Sequence, residues 1–195
     1  MLKIVVATNN AHKIQELRAM LSNSVILYSL KDVGIKVDPE ENGKTYAENA
    51  FIKANAVSKY TDLPVLSDDS GIEIEKLGEH FPGIYSHRYA LENGGQEALN
   101  SKLTQTCANS KATFTSHFVL LNLIPGQRLD FTGYMYGKIN NKVEGVNGFG
   151  YDPIFVPDGY NCSVSMLKPE EKNKISHRYN AAKELLSYLK INNYL

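Results

Sequence analysis

The chain has 195 residues, of which 43% are hydrophobic, so it can bury a substantial core as a single domain over residues 1–195. Lysine plus arginine and aspartate plus glutamate number 21 each, and the resulting net charge of zero provides no overall field to attract a nucleic-acid backbone. The two cysteines, Cys107 and Cys162, lie far apart, which argues against a zinc site and a disulfide scaffold.

The amino-terminal stretch is apolar from Met1 to Ala7, but it is too short for the hydrophobic region of a signal peptide, and polar residues interrupt it at Thr8. No other stretch approaches the length needed to cross a bilayer. We therefore expect a soluble cytoplasmic protein that has neither a membrane nor a nucleic acid as a partner.

The first predicted elements are a buried strand over Leu2–Ala7 and a helix that begins at Asn9 or Asn10. This helix places His12 and Lys13 in its first turn, where free amide groups and the macrodipole already create a positive potential. A solvated cation at such a position costs only about 0.3 to 1 kcal/mol, so a single case needs no functional explanation.

The last predicted helix, Ser176–Leu189, repeats this pattern, because His177 and Arg178 follow Ser176, a natural capping residue. Two helices that both begin with cations favour a bound anion. A helix amino terminus together with a lysine forms a phosphate site, so we expect a phosphorylated ligand. Solvated cations are the alternative for either helix alone.

The second predicted helix spans Thr45–Lys59 and opens with the capping-box pair Thr45 and Glu48. Residues 43–45, Gly-Lys-Thr, resemble the end of a Walker A loop. Asp38 stands where the first glycine of that motif belongs, and no clear apolar strand leads into it, so we reject a P-loop.

Two charged residues near this helix each have two interpretations. Glu41 is either a solvent-facing charge or a metal ligand. Lys53 lies among the small residues Ala50, Ala54 and Ala56, so its stem can cross the helix surface and deliver the amine to a phosphate. A solvated lysine is the alternative.

Residues 67–71, Ser-Asp-Asp-Ser-Gly, follow the extended stretch Leu63–Leu66 and precede another, Ile72–Ile74. Neighbouring side chains on a strand point to opposite faces, so we expect a turn, permitted by the glycine, that lets Asp68 and Asp69 share one site. Such a pair binds a metal or moves a proton. The alternative is a polar turn with both aspartates solvated.

In the second half of the chain, Gln96–Cys107 is predicted to be a helix. Ala112–Leu123 and Leu129–Ile139 are predicted to be two long strands of an antiparallel pair. This mixed order of elements predicts an α/β protein with a central, partly antiparallel sheet and helices packed around it.

Residues 148–153, Gly-Phe-Gly-Tyr-Asp-Pro, combine flexible backbone, two aromatic rings and a carboxylate. Phe149 and Tyr151 can stack on a flat heterocycle, an interaction worth roughly 1 to 3 kcal/mol per base that does not distinguish between bases. Asp152 can accept a hydrogen bond from a ring N–H or amine, and Arg178 can donate to a ring carbonyl. A hairpin turn with both rings in the core is the alternative.

Six motifs, in this order, resemble those of the inosine-triphosphate pyrophosphatase family, whose members are also called dITP/XTP pyrophosphatases. They are TNNAHK at 8–13, TYAENA at 45–50, SDDSG at 67–71, PGIYSHRYA at 82–90, GFGYDPIF at 148–155 and SHR at 176–178. Each motif is weak alone, but the ordered set covers nearly the whole chain and is highly specific.

The resemblance implies an elongated α/β fold whose mixed central sheet is flanked by two lobes, with a substrate cleft between the lobes, and it implies a homodimer. It also implies Mg²⁺-dependent hydrolysis of ITP, dITP and XTP to the monophosphate and pyrophosphate, which cleanses the nucleotide pool.

Individual roles follow from the same resemblance. Asp69 matches the general base and a metal-associated acid, Ser70 matches a substrate contact, and Glu41 matches a metal-binding acid. The residues that match the triphosphate-binding turn include Thr8, Asn9, Asn10 and Lys13. Those that match the nucleotide-binding set are Phe149, Gly150, Tyr151, Asp152, Lys172, His177 and Arg178. His87 departs from the family pattern, which often has a small residue at that position.

This chemistry requires attack of water on the α-phosphorus and departure of magnesium-bound pyrophosphate. We expect Lys13, Lys172 and the amide groups of the first helix to neutralise the leaving group. Asp69 would hold or deprotonate the water, while Asp68 and Glu41 would help to fix the ion. Hypoxanthine and xanthine present a 6-oxo acceptor where adenine presents an amino donor, so a site built from donors rejects adenine.

Two other classes of function compete with this hypothesis. A sensor module would hold purine nucleotides without turning them over, but the set Glu41, Asp68 and Asp69 argues against it. Nucleic-acid binding through the aromatic loop conflicts with the neutral charge and with the absence of a basic stripe.

Overall fold

The computed structural model describes all 195 residues, which form seven strands and six α-helices. The strands are β1 Leu2–Val6, β2 Val25–Ser29, β3 Val65–Ile74, β4 Pro82–Gly83, β5 Lys111–Leu121, β6 Arg128–Ile139 and β7 Phe155–Pro157. The helices are α1 Ala11–Leu21, α2 Tyr46–Ser58, α3 Ser86–Glu92, α4 Gln96–Thr106, α5 Pro169–Ile175 and α6 His177–Ile191. None of these helices combines the length and the apolar character that a membrane span requires.

The strands form one mixed sheet in the order β2-β1-β3-β5-β6-β7, with β4 paired to β3 outside this path. β1 runs parallel to β2 and β3, whereas β4 and β7 are antiparallel to their partners. The Asn122 amide donates to the Gln127 carbonyl at one end of the β5–β6 pair, and the Ile139 amide donates to the Ser110 carbonyl at the other. These two strands are therefore also antiparallel. The predicted α/β class with a partly antiparallel sheet is confirmed.

The chain divides into two compact units. Unit 1 consists of residues 1–69, 116–133 and 178–195. Unit 2 consists of residues 70–115 and 134–177. Three strands, β3, β5 and β6, contribute residues to both units, so neither unit is a continuous stretch of chain.

Unit 1 is built around strands that are buried on both faces, as expected for parallel strands covered by helices. Ile4 and Val6 of β1 join one apolar cluster, whereas Val5 of β1 and Ala7, which follows the strand, join another. The first cluster also contains α1 and α6 residues, namely Leu17, Leu21, Ala181, Ala182, Leu185 and Leu189. The second contains α2 residues, namely Ala50, Ala54 and Val57. The alternation of side chains therefore assigns α1 and α6 to one face and α2 to the other.

Unit 2 has its own apolar core, formed by α3, α4 and the ends of the long strands. Its buried members include Ile72, Ile74, Leu99, Leu103, Phe114, Met135, Ile139 and Phe155. Tyr151 belongs to this core as well.

The predicted turn at residues 67–71 is wrong, because β3 runs without interruption from Val65 to Ile74. Gly71 lies inside this strand and does not adopt a positive φ. Ser67 and both aspartates resemble turn residues in sequence, yet all three are buried, and each has a hydrogen-bonding partner inside the fold. Those partners allow polar side chains to remain in a buried strand.

Most other predicted elements are confirmed within one or two residues, including β1, α1, α2, α4, β5, β6 and α6. The capping box of α2 is altered: the Thr45 side chain accepts from the Glu48 amide, but the Glu48 carboxylate accepts from the Lys44 amide. The sequence analysis did not predict β2, β4, β7, α3 or α5.

Candidate functional site

The pleat of β3 sends its two adjacent aspartates to opposite faces of unit 1. Leu66 packs in the cluster formed with α1 and α6, and Asp68, two residues later, faces the same helices. The Ser67 hydroxyl donates to the Ala50 carbonyl of α2 at 2.6 Å, and Asp69, two residues later, contacts Lys53 of α2. Asp68 and Asp69 therefore occupy different environments, although they are neighbours in sequence.

Asp68 is completely buried and accepts from donors on three other elements. Its Oδ1 atom accepts from the Ser116 hydroxyl at 2.7 Å, and its Oδ2 atom accepts from Arg178 Nε at 2.9 Å. Lys13 Nζ lies 3.2 Å from the same Oδ2 atom. Burial alone raises the pKa of the Asp68 carboxyl, but the Arg178 guanidinium and the Lys13 ammonium together hold it well below its usual range.

Arg178 is the largest fully buried side chain of the protein. Besides Asp68, it pairs through Nη1 with the Glu16 carboxylate of α1. Burial lowers the pKa of the guanidinium, but the two carboxylates more than offset this effect and raise it. Two of its nitrogens are therefore committed to carboxylates of unit 1, which limits what Arg178 can offer to a purine ring.

Asp69, Lys53 and Glu41 form a second group, which we call the Lys53 cluster. Lys53 Nζ lies 3.1 Å from Asp69 Oδ1 and 2.9 Å from Glu41 Oε2, so one ammonium bridges two carboxylates. Burial lowers the pKa of Lys53, but attraction to Asp69 and Glu41 outweighs it, so the net shift is upward. Lys53 is thus mostly buried and paired, in line with the hypothesis of a functional lysine and unlike a solvated one.

Asp69 differs from Asp68 in one decisive way, because its Oδ2 atom is buried and has no hydrogen-bonding partner. Burial raises the pKa of the Asp69 carboxyl, and attraction to the Lys53 ammonium does not cancel that rise. A buried carboxylate oxygen without a partner is costly unless a ligand uses it. The atom is suited to receive a proton or to bind a cation.

The Lys53 cluster fits a magnesium ion as far as its donor chemistry is concerned. Mg²⁺ is commonly held by one or two carboxylates, with waters and substrate phosphates as its remaining ligands. Glu41 and Asp69 supply two carboxylates, one with an unpartnered oxygen. No group of three or more acidic, histidine or cysteine side chains in the structure is arranged to hold a metal.

The turn that leads into α1 is organised by its own side chains. Asn10 caps the helix, because its Oδ1 atom accepts from the amides of His12 and Lys13 at 3.0 and 3.2 Å. The Thr8 hydroxyl accepts from the Asn10 amide, and the Asn9 side-chain amide donates to Asp38. Two of the amides expected to bind phosphate are therefore already satisfied within the turn.

The Lys13 ammonium remains the main positive group at this helix end. Burial lowers its pKa, and repulsion from Lys53 and Arg178 adds to this effect, while Asp68 opposes it. A bound anion would supply a counter-charge that offsets both the cost of burying the ammonium group and its repulsion by Lys53 and Arg178. This environment favours a phosphate as ligand.

In unit 2, the loop at residues 148–152 is held from within by Asp152. Asp152 Oδ2 accepts from the Phe149 amide at 2.9 Å and from Lys172 Nζ at 2.6 Å. Gly148 has a φ of 79°, and a Cβ atom there would lie 2.2 Å from the same Asp152 oxygen. Only glycine fits at this position. Lys172 is buried and also lies over the Phe149 ring, 4.8 Å from its centroid.

The two aromatic residues of the loop differ in accessibility. Tyr151 is buried in the core of unit 2, and its hydroxyl donates to the Ser86 carbonyl at 2.7 Å. Phe149 is only partly buried, so it is the ring of this loop that can stack on a ligand. The Asn100 side chain of α4 donates to the Gly150 carbonyl at 2.9 Å and anchors the loop.

Three further residues complete the account of the predicted set. His177 is buried and stacks on Phe114, with ring centroids 4.8 Å apart and planes inclined by 9°. Ser70 is partly buried on β3, and His87 is exposed on α3. Within unit 1 the structure brings together Lys13, Asp68 and Arg178, and separately Glu41, Lys53 and Asp69. Thr8, Asn9 and Asn10 also lie in unit 1, in the turn before α1, while the remaining predicted residues belong to unit 2.

Several contributors to these clusters were not predicted. Ser116 and Glu16 complete the partners of Asp68 and Arg178, and Asn100 anchors the loop of unit 2. Their partners lie between 48 and 162 residues away in sequence, and none of the three belongs to a recognisable motif.

Buried acids paired with lysine and arginine, and one acid with an unpartnered oxygen, give this α/β protein the kind of site that suits a negatively charged ligand and a cation. The profile of the Ham1 family matches residues 4–188, and this chain belongs to that family.

Individual members of the family are similar over nearly their whole length. A protein from Clostridium perfringens named dITP/XTP pyrophosphatase is 39% identical over 202 residues, covering 97% of this chain and 98% of its own. The structure of a HAM1 protein from Coxiella burnetii superimposes with a TM-score of 0.84 at 35% identity, over 97% of this chain and 99% of that one. The Ham1 protein of Staphylococcus aureus gives a TM-score of 0.81 at 35% identity, with the same coverage of both chains.

The burial of Asp68 leads to a prediction about stability. Asp68→Asn should lower the free energy of unfolding by about 3 to 5 kcal/mol, because it leaves the buried charges of Arg178 and Lys13 without a full counter-charge. Urea denaturation of the two proteins measures the difference.

The matched control is Asp32→Asn, which weakens an exposed ion pair between Arg18 and Asp32 on the surface of the same unit. Little change is expected there, since exposed pairs contribute little. Equal losses in the two variants would contradict the role assigned to Asp68.

Proposed function

We propose that this protein hydrolyses the nonstandard purine nucleoside triphosphates ITP, dITP and XTP to the monophosphate and pyrophosphate, and so removes them from the nucleotide pool. Family membership and the names of its relatives support an enzyme that acts on phosphoric anhydrides. The observation that carries the proposal is the pairing of Asp69 with Lys53, which leaves one buried carboxylate oxygen of Asp69 without a partner.

Asp69 is proposed as the general base. Its Oδ1 atom is fixed by Lys53, so the carboxylate cannot rotate freely, and Oδ2 is the atom that would take a proton from the attacking water. Burial raises the pKa of this carboxyl, which makes it a stronger base than an exposed aspartate. As the water oxygen bonds to the α-phosphorus, the bond to the bridging oxygen of pyrophosphate breaks.

Lys13 and Lys53 are proposed to neutralise the triphosphate. Both ammonium groups are largely buried, where their attraction for a phosphate is stronger than it would be in water. Thr8, Asn9 and Asn10 shape the turn that presents Lys13, and we propose that they line the phosphate site.

Glu41 and Asp69 are the residues that we propose to hold Mg²⁺. When bound, the ion would add positive charge beside the pyrophosphate as it leaves. Asp68 was predicted as a third metal acid, but Ser116, Arg178 and Lys13 already use its two oxygens. We therefore propose that Asp68 positions these cations and contributes its charge without binding the metal directly.

The loop at residues 148–152 is proposed to bind the purine. Phe149 offers a partly exposed ring, and Asp152 and Lys172 keep the loop in shape from beneath. Tyr151 supports the loop from the core. The Phe149 amide already donates to Asp152, and we propose that another backbone amide of this loop donates to the 6-oxo group.

For the other predicted contacts we propose supporting roles at the nucleotide. Ser70 follows Asp69 directly and would contact substrate, and His177 would contribute from its position on Phe114. From the family resemblance we also propose a homodimer in the cytoplasm with no membrane as partner. The net charge of zero supports the further proposal that no nucleic acid is a partner.

A pyrophosphate-release assay across five nucleotides tests the proposed reaction. With Mg²⁺, release from ITP, dITP and XTP should be far faster than from ATP or GTP, and excess EDTA should stop it, because charge neutralisation would then be incomplete. Orthophosphate as the first product would contradict the proposal. Binding of these nucleotides without any turnover would instead favour a sensor module.

Substitution of the proposed base provides a second test. Asp69→Asn should reduce kcat by at least about 10²-fold, the lower range for loss of a general base, because an amide cannot accept the proton. Equilibrium titration with ITP should still detect nucleotide binding. If this variant turned over at the wild-type rate, Asp69 would have no catalytic role.

The pH profile provides a third test. The base must be deprotonated, so kcat/KM should fall as the pH is lowered through the pKa of Asp69, which burial places above the ordinary value of about 3.9. In Lys53→Met the stabilising ammonium is missing, so the acid limb should move to still higher pH. Lys183→Met, an exposed lysine on α6 of the same unit, should leave the profile unchanged.

A further inference from the structure

The acid Glu41 lies on a segment, residues 38–44, that has no helical or strand structure of its own. A carboxylate on such a segment needs an external anchor if it is to meet Lys53 and Asp69 in a fixed geometry. The end of the segment next to α2 has two such anchors, provided by Asn49 and Glu48.

Asn49 is the first anchor. It lies in the first turns of α2 and is only 4% exposed. Its side-chain oxygen accepts from the Gly43 amide at 2.8 Å, two residues after Glu41. Glu48 provides the second anchor, because its carboxylate accepts from the Lys44 amide at 2.5 Å. Two consecutive amides of the segment are thus bound by two consecutive side chains of the helix.

Gly43 passes so close to α2 that no side chain fits there. A Cβ atom at this position would lie 2.6 Å from Asn49 Oδ1 and 2.7 Å from the Glu48 Cβ atom. The Gly-Lys-Thr sequence that resembles a Walker A loop therefore serves a different purpose: its glycine permits this close approach. The positive φ typical of turn glycines is not involved.

Asn49 and Lys53 are four residues apart on α2, so they share one face of the helix. Asn49 fixes the segment that carries Glu41, and Lys53 contacts the Glu41 carboxylate itself at 2.9 Å. The same helix therefore sets both the backbone position and the charge environment of this acid.

We propose that Asn49 is a positioning residue that, through the Gly43 amide, holds Glu41 beside Lys53 and Asp69 and thereby sets the affinity for a divalent cation. The inference rests on the proposed function, in that Glu41 is taken as a metal-binding acid. Asn49 itself touches neither the metal nor the nucleotide in this proposal, and its side-chain oxygen accepts from the backbone of the segment.

The test measures Mn²⁺ binding to the purified full chain by electron paramagnetic resonance, without nucleotide and with a non-hydrolysable analogue of ITP, so that the proposed metal-binding acids remain intact in the parent protein. Asn49→Ala should weaken Mn²⁺ binding by about 10- to 100-fold, the range for residues that orient metal ligands. Asn49→Asp keeps the acceptor oxygen and should restore binding. Asn55→Ala, an exposed asparagine on the same helix, is the matched control and should bind as the parent does.

Gly43→Ala tests the same contact from the other side and should weaken binding in the same way, because the added methyl group displaces the segment. Circular dichroism at the assay temperature identifies any variant that is unfolded. If Asn49→Ala or Gly43→Ala is unfolded, the other of these two variants decides the outcome. Normal Mn²⁺ affinity in folded Asn49→Ala or Gly43→Ala would overturn the proposal, as would a failure of Asn49→Asp to restore binding.

Glu41→Gln separates this inference from the proposed function. If Glu41→Gln weakens Mn²⁺ binding and Asn49→Ala does not, the positioning role is wrong while the assignment of Glu41 stands. If Glu41→Gln itself leaves Mn²⁺ binding unchanged, the metal-binding role of Glu41 in the proposed function is wrong, and the role of Asn49 is overturned with it.

Discussion

The site in unit 1 depends on the charge of one buried carboxylate, that of Asp68. Taking this group out of water is costly, and the structure compensates with a guanidinium, an ammonium and a hydroxyl from three separate elements. Because the partners come from α1, β5 and α6, the geometry at Asp68 fixes where each of those elements meets β3. Loss of any one of these partners leaves the buried charge of Asp68 poorly compensated. The three contacts therefore strongly disfavour other ways of packing α1, β5 and α6 against β3.

The adjacent residue, Asp69, shows how the environment gives two identical side chains different properties. Asp68 faces cations on α1 and α6 and stays ionised, whereas Asp69 faces α2 and has a raised pKa and an oxygen without a partner. Burial raises the pKa of both carboxyl groups, and the number of neighbouring cations decides the direction of the net pKa shift. The strand pleat alone separates the two environments, so no turn is needed. This difference explains why we assign a structural role to Asp68 and a chemical role to Asp69.

Much of the fold was predictable because local patterns determine it. Apolar residues at helical spacing predicted α1, the capping-box pair predicted α2, and runs of β-branched and aromatic residues predicted β5 and β6. The error at residues 67–71 has a specific cause: serine, aspartate and glycine favour turns when solvated, and only distant partners such as Ser116 and Ala50 keep them in a strand. Local sequence contains no information about those partners.

The same limit applies to the candidate site. The ordered motifs predicted Lys13, Asp69 and the loop at 148–152 as site residues, and these remain predictions. The motifs gave no role to the two anchors, Asn100 for that loop and Asn49 for the Glu41 segment, because each is a single asparagine whose role depends on tertiary contacts. Tyr151 was predicted to stack on a ligand and instead lies in the core, since a ring in a glycine-rich loop can face either way until packing decides.

Unit 1 takes its parts from three separated stretches of the chain, and residues 178–195 are among them. A ribosome therefore exposes α1 and β3 long before it has made the guanidinium that Asp68 requires. Until translation passes residue 178, the part of the chain that carries Asp68 lacks the cation that contributes most to keeping this carboxyl ionised. We therefore expect the native packing around Asp68 to form only after the last helix has been synthesised.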